Sequence, residues 1–378
     1  MRQKTRSLSC LFIFVIGFIQ AYAQQEFRLG ALWPDQDGKH INAHGGGILY
    51  HGATYYWFGE FKTEGKAGNR ALVGVSCYSS KDLYSWKNEG IALRVENDST
   101  SEITKGCVIE RPKVIYNRKT KKFVLWFHLE LKGQGYNAAR TAVAVSDHPT
   151  GPYRYIRSYR PDRKTWPINF EKAWQTKSIN ESDLKAHTDA WRKEVAEGLF
   201  VRRDFEKGQM SRDMTLFVDD NDKAYHIHAA EENLTLHISE LSDDYLSFTG
   251  KWATIAPAGH NEAPALVKRK GKYFLITSGC TGWEPNAARS FVSNSIWGPW
   301  ISLGNPAQGN NAERTFESQS TFILPVHGNK DQFIFMADRW VPDNAIDGRY
   351  IWLPLIFEED KPVIKWFDQW NLKQLPTP

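Results

Sequence analysis

Four polar residues, Glu110, Asp213, Glu262 and Gln319, open segments of the same kind, and three of the four are carboxylates. Carboxyl groups gathered at one point can exchange protons with a bound molecule, and an amide beside them can orient it. The segments read ERPKVIYNRKTKKF (110–123), SRDMTLFVDDNDKAY (211–225), NEAPALVKRKGKYF (261–274) and SQSTFILPVHGNKDQF (318–333). Each passes from the polar residue through a small residue or proline into an apolar strand, a charged turn and a second, aromatic strand. A looser fifth copy, GGGILYHGATYYW, covers 45–57. If the copies are equivalent parts of one repeat, the four polar residues lie at one level and converge on one pocket.

The elements that must position them follow from the spacing. Copies recur at roughly 50–60 residues outside one larger gap, which marks a repeat architecture. Strand–turn–strand units of that size predict an all-β, five-bladed propeller with four strands per blade around a central channel. Between the copies runs a second pattern, an apolar strand ending in a Ser/Asp-rich, aromatic turn: VGVSCYSSKDLYSW (73–86), AVAVSDHPTGPY (142–153), LHISELSDDYLSF (236–248) and FVSNSIWGPW (291–300). These suit the outer strands of each blade. The fifth blade combines 319–340 with 350–357 and is closed by the C-terminal IKWFDQW. The larger gap is filled by residues 158–207, whose stretch ESDLKAHTDAWRKEVAEGLF reads as helical, and such an insertion becomes a surface excursion on one face. It either walls the pocket or is an ornament. No low-complexity linker divides 24–378, so one domain is expected.

Composition bounds the function classes. The chain has 378 residues, 13% aromatic and 24% charged, with a net charge of +5. That charge is too mild and dispersed for nucleic acid. The 15 tryptophans either wedge between blades or stack on sugar rings. Residues 1–23 read as a secretory signal: Arg2, Lys4 and Arg6 form the basic region, 11–19 the apolar region, and Ala21-Tyr22-Ala23 precedes cleavage at Gln24. An exported protein, periplasmic or extracellular, is therefore expected, with no membrane span. Cys77, Cys107 and Cys280 remain in the mature chain; three is odd, no spacing suggests zinc, and Cys77 and Cys280 read as buried free thiols in strands. The run Asp219-Asp220-Asn221-Asp222 is hairpin-turn chemistry rather than a metal site. No metal and no cofactor are expected.

The segments RDMTLFVDDNDKAY and NEAPALVKRKGKYFLITSG resemble the third- and fourth-blade motifs of glycoside hydrolase family 43, a five-bladed propeller family. AHGGGILY (43–50), YYWFGE (55–60), ERPKVIYN (110–117), TSGCTGWEPN (277–286), SQST (318–321) and DRW (338–340) resemble more narrowly its exo-β-1,3-galactanase branch. The resemblance implies a secreted, monomeric, inverting exo-glycosidase that releases galactose from β-1,3-galactan, as in arabinogalactan. It also leaves open an arabinofuranosidase, xylosidase or galactofuranosidase, or a glycan-binding propeller without catalysis.

Inversion needs an acid to protonate the leaving oxygen and, on the opposite face, a base about 6.5–9.5 Å away to activate water. The resemblance makes Glu262 the acid and Asp213 the modulator that raises its pKa. It puts Glu110 and Arg111 on sugar hydroxyls, the alternative being a Glu–Arg pair that ties two blades together. Glu60, Tyr136, Asn233, Thr281 and Trp283 carry over as substrate-binding residues. One departure stands out. Most of the family carries its base as a first-blade Asp, where this chain has Ala43-His44-Gly45-Gly46 and no Asp between His40 and Glu60. In the galactanase-like branch that loss accompanies a fifth-blade Gln, here Gln319. An amide is a poor proton acceptor, so it either holds the water by hydrogen bonding or acts as an imidic tautomer. His44 is the next candidate.

Overall fold

The computed structural model describes residues 25–376 apart from 67–71, 283, 330 and 342; the signal sequence and Trp283 lie outside the described residues. Five antiparallel sheets follow one another along the chain. Blade one contains His44–His51, Thr54–Lys62, Leu72–Ser80 and Lys87–Arg94. Blade two contains Val108–Asn117, Lys122–Glu130, Arg140–Ser146 and Arg154–Tyr159. Blade three contains Met214–Val218, Ala224–Ala230, Thr235–Leu241 and Phe248–Ile255. Blade four contains Glu262–Arg269, Lys272–Ser278, Arg289–Ser293 and Ile301–Gly304. Blade five contains Gln319–Pro325, Phe333–Arg339, Arg349–Glu358 and Lys361–Lys365, with Ala307–Gln308 added in parallel at its outer edge. The first strand of each blade touches that of the next, and the fifth returns to the first, so the sheets form a closed five-bladed propeller.

The ring is shut differently from the sequence expectation. The C-terminal IKWFDQW does not stay in blade five: Lys361–Lys365 takes its beginning, while Gln369–Trp370 leaves to pair with Phe27–Arg28 from the lead-in. Around that two-stranded clasp, Phe27, Trp33, Trp57, Trp86, Tyr350, Trp352 and Trp370 pack edge to face and tilted, with Trp33 against Trp352 at 4.9 Å and Trp57 against Tyr350 at 4.6 Å between ring centroids. Trp370 donates its indole N–H to the Trp352 carbonyl at 2.7 Å. Buried aromatics of this size supply a large share of the apolar area removed from water. Trp33, Trp57, Trp86, Trp352 and Trp370 are thereby spent on packing where the ring closes.

A single local device recurs at the channel mouth. Residues 44 and 47 pair with 60 and 58, 110 and 113 with 128 and 126, and 262 and 265 with 278 and 276, so each inner strand carries one extra residue at its start. The fifth blade has the same irregularity between Ser320 and Phe322. A bulge bends the strand and re-aims the preceding side chain. The second residue of three of these bulges is left-handed: Gly45, Arg111 and Ala263 have φ of 66°, 55° and 51°. Gly46 is needed for another reason, because a Cβ there would lie 1.7 Å from the Phe58 carbonyl oxygen.

The segment between Tyr159 and Met214 carries α1 (Asp189–Ala196) and α2 (Leu199–Arg203). Thr188 caps α1 by accepting from the Trp191 N–H. Val195, Leu199 and Phe200 bury against Leu234, with Ala258 alongside. The excursion therefore braces the Leu234 loop, and among the described residues 158–207 supply none of the lining of the cavity below. The Asp219–Asp222 run is the hairpin turn of blade three, and the Asp219 carboxylate reaches Lys268 of blade four at 2.5 Å.

Candidate active site

The bulged strand starts surround a cavity of about 700 Å³ at one end of the channel. Glu110, Asp213, Glu262 and Gln319 all line it, as do His44, Glu60, Arg111, Tyr136 and Asn233. Thr281 does not. It lines a neighbouring groove, and its hydroxyl is spent within its own loop, donating to the Glu284 carbonyl and accepting from Asn286. Trp283, the remaining predicted contact, lies outside the described residues.

Glu262 stands in blade four. Its Oε1 accepts from Asn233 Nδ2 at 2.7 Å and from the Cys280 thiol at 3.3 Å, and its Oε2 from Gln319 Nε2 at 3.3 Å. Burial, followed by the nearby negative charge of Asp213, pushes its pKa up to about 7. The loop before it is pinned by Arg289, which donates to the His260 carbonyl at 2.9 Å. Asn233 arrives on a turn of three consecutive left-handed residues, Glu231, Glu232 and Asn233, with φ of 53°, 57° and 65°. That conformation is costly for non-glycine residues and is held by its surroundings. Buried Glu231 accepts from Thr235 Oγ1 at 2.6 Å, and Leu234 sits against the helices of the excursion.

Asp213 ends the approach to blade three. Its Oδ2 lies 2.9 Å from Arg111 Nη2 and accepts the Ala263 N–H at 3.0 Å, which places it beside the backbone that follows Glu262. Arg111 joins four blades: its N–H donates to Glu60 Oε1 at 3.0 Å, Nη1 to the Ser320 carbonyl at 3.0 Å, and Nη2 to Gln319 Oε1. Burial works against its charge, but Asp213 and Glu60 hold its pKa above the ordinary value. Glu60 is 2% exposed, and its second oxygen is 2.8 Å from Lys62 Nζ, so it forms floor more than contact surface.

Glu110 does not pair with Arg111. Its Oε2 is 2.9 Å from His128 Nδ1 and its Oε1 accepts from the Tyr136 hydroxyl at 2.8 Å. The other His128 nitrogen is 2.8 Å from Glu130 Oε1. Burial opposes a charge on His128, yet the hydrogen bonds to Glu110 and Glu130 outweigh it and raise its pKa to about 9. Burial likewise opposes charge on Glu110, and His128 reverses it, holding that carboxyl below its usual range.

Gln319 departs from the expected spacing. Its Nε2 donates to Ser278 Oγ at 2.8 Å and lies 3.3 Å from Glu262. It stands beside Glu262, on the adjacent blade, in contact with it instead of at the separation of about 6.5–9.5 Å that two catalytic carboxyl groups keep in an inverting site. His128, Glu130 and Cys280 were not singled out as site residues. His128 and Glu130 are two apart in the otherwise apolar FVLWFHLE, hence on one face of a buried strand, and that pattern was a readable sign. Cys280 is half-buried, just beyond the strand, and touches Glu262 instead of filling a core; Cys77 and Cys107 are buried free thiols.

The comparisons with known proteins agree with this arrangement. The model for glycosyl hydrolases family 43 matches residues 192–337. A family 43 β-1,3-galactosidase solved with galactodeoxynojirimycin is 55% identical, with a TM-score of 0.89, over 92% of this chain and 100% of that one. An exo-β-1,3-galactanase from Clostridium thermocellum is 36% identical, with a TM-score of 0.74, over 92% of this chain and 66% of that one. A β-D-galactofuranosidase from Aspergillus niger is 30% identical over 145 residues, 38% of this chain, which spans 41% of the length of that relative. With a cavity ringed by a carboxyl of raised pKa, the Asp213 carboxylate beside it and their buried counter-charges, this chain belongs to glycosyl hydrolase family 43 and is a glycoside hydrolase of an inverting family.

Proposed function

We propose that this hydrolase acts on the end of β-1,3-galactan chains and releases galactose with inversion. The observation that carries the reading is Glu262, a carboxyl held protonated near neutrality at the wall of a sugar-sized cavity. The full-length similarity to a β-1,3-galactosidase supports the choice of sugar. Glu262 protonates the leaving oxygen. Asp213 raises its pKa and, through Arg111 and Ala263 N–H, fixes its position. Glu110, kept ionised by His128, and the Tyr136 hydroxyl oxygen accept from sugar hydroxyls, while the Arg111 guanidinium donates to a sugar oxygen. Gln319 orients the attacking water from beside the acid. A monomer exported after cleavage near Ala23-Gln24 completes the reading; those residues lie outside the described ones.

Incubating the protein with debranched β-1,3-galactan and following products by proton NMR tests this. Galactose, appearing first as the α-anomer, is expected. Release of galactofuranose, arabinose or xylose from the matching substrates, with none from galactan, would transfer the chain to another activity of the family. The similarity to a galactofuranosidase makes that comparison worth running.

A further inference from the structure

We infer that Glu231, a buried carboxylate outside the cavity lining, is a positioning residue for the proton donor: it holds the turn from which Asn233 grips Glu262. This rests on the reading of Glu262 as the acid and deepens it. An acid serves the leaving oxygen only while its carboxyl is held toward that oxygen. Of the hydrogen bonds that Glu262 takes from Asn233, Cys280 and Gln319, the one from Asn233 Nδ2 is the shortest, at 2.7 Å. The orientation of the acid therefore depends on where blade three puts that amide.

Residues 231–234 join Ala224–Ala230 to Thr235–Leu241, and Ala230 pairs with Thr235 across the base of the turn. Residues 231, 232 and 233 are all left-handed, a conformation that turns ordinarily give to glycine or asparagine. Glutamate at the first two positions adds a conformational cost, and both side chains are used. Glu231 turns inward and is 1% exposed. Its Oε2 accepts from Thr235 Oγ1 at 2.6 Å, and its Oε1 lies 3.3 Å from His237 Nε2. Glu232 turns outward and meets Arg203 of α2 at 3.4 Å and Arg212 at 3.0 Å. The turn is also stitched to the loop that delivers the acid. The His260 N–H donates to the Leu234 carbonyl at 3.1 Å, and the Ala258 N–H to Thr235 Oγ1 at 3.3 Å. Thr235 thus serves the Glu231 carboxylate and the approach to Glu262 at once.

The two anchors differ in strength. Glu232 is 44% exposed, and ion pairs open to solvent contribute little. The Glu231 bonds lie inside the blade, where a donor left without its acceptor is costly. The inner anchor therefore sets the turn. Without it, Asn233 is no longer held against Glu262 Oε1, and the acid loses both its orientation and a donor that favours its ionised form. The pKa of the acid then rises. Asp213, Arg111 and Cys280 also bear on that pKa and are kept in the Glu231 and Thr235 variants.

Glu231→Ala should lower kcat on galactan by about tenfold, the scale of one charged hydrogen bond, and move the basic limb of the pH–rate profile upward by about half a unit. An activated aryl galactoside, which needs little protonation, should keep its kcat within about threefold. Glu231→Gln still accepts from Thr235 and should stay within about threefold of the parent on both substrates. In an Asn233→Ala background, Glu231→Ala should lower kcat on galactan by less than about twofold more, because it acts through Asn233. Equal losses on the two substrates, an unmoved limb, additive losses in the double variant, or Glu231→Gln as impaired as Glu231→Ala would each overturn the inference. If Glu231→Ala does not fold by circular dichroism, Thr235→Val decides: an upward limb supports the inference and an unmoved one overturns it. Glu262→Gln separates the two levels. Equal losses on both substrates there fail the acid reading itself. A loss confined to galactan there, beside equal losses for Glu231→Ala, fails the positioning role alone.

Discussion

Glu110 and Glu262 are the same residue type, opening rotationally equivalent strands, each followed by a bulge with a left-handed second residue. Their protonation is opposite. Glu110 faces a buried imidazolium and a tyrosine hydroxyl and stays ionised. Glu262 faces an amide, a thiol and a second amide, all uncharged, with the negative Asp213 nearby, and reaches about 7. Backbone geometry aims the carboxyls; the neighbours contributed by second strands and loops decide which of them carries a proton. This is how one repeated motif yields both an acid and an anion.

Removing the proton donor should produce the largest effect. Glu262→Gln is expected to lower kcat/KM on galactan by about 10²-fold or more while sparing an activated aryl galactoside, whose leaving group departs unprotonated. Equal losses on both would remove Glu262 from the acid role.

Taking the counter-charge from the other glutamate comes next. His128→Asn takes the charged partner from buried Glu110, and KM for galactan should rise about tenfold, the scale of one charged hydrogen bond. The same change tests stability. The folded pKa of His128, about 9, lies above its unfolded value of about 6.5. Its stabilisation is therefore complete below about pH 6.5 and is lost as pH rises through about 9. Melting temperatures of the parent should fall across that interval, and those of the variant should stay nearly level.

Smaller shifts refine the contrast. Asp213→Asn removes the like charge beside Glu262, so the acid ionises earlier and the basic limb of the pH–rate profile should move below about pH 7. An unmoved limb would deny Asp213 its modulator role. Cys280→Ala deletes a weak donor to the Glu262 carboxylate, and the limb should move upward by about a few tenths of a unit, while Cys280→Ser holds it in place.

Much of this was legible in the chain. The blades announce themselves because an inner hairpin must alternate apolar residues and end in a charged turn, and the residue before each inner strand must then face the axis. Glu110, Asp213, Glu262 and Gln319 were found for that reason. The pairing of those residues was hidden, since the partners come from other strands and loops: His128 from the second strand of blade two and Cys280 from a loop of blade four. Thr281 was misplaced because motif position fixes a loop and not the direction of a hydroxyl within it. The clasp between Phe27–Arg28 and Gln369–Trp370 was missed because two-residue strands have no periodicity to read.

That clasp also orders events in time. A chain emerging from its N-terminus can finish blades one to four while the partners that cover Trp33, Trp57 and Trp86 have yet to be made. Those surfaces stay adhesive until Trp352 and Trp370 arrive. Joining ends so far apart in sequence is the slowest kind of contact to form. Completion of the ring, and with it the meeting of His44 from one end with Asp338 from the other, therefore waits on the whole chain: one wall of the cavity is assembled only when the two ends close.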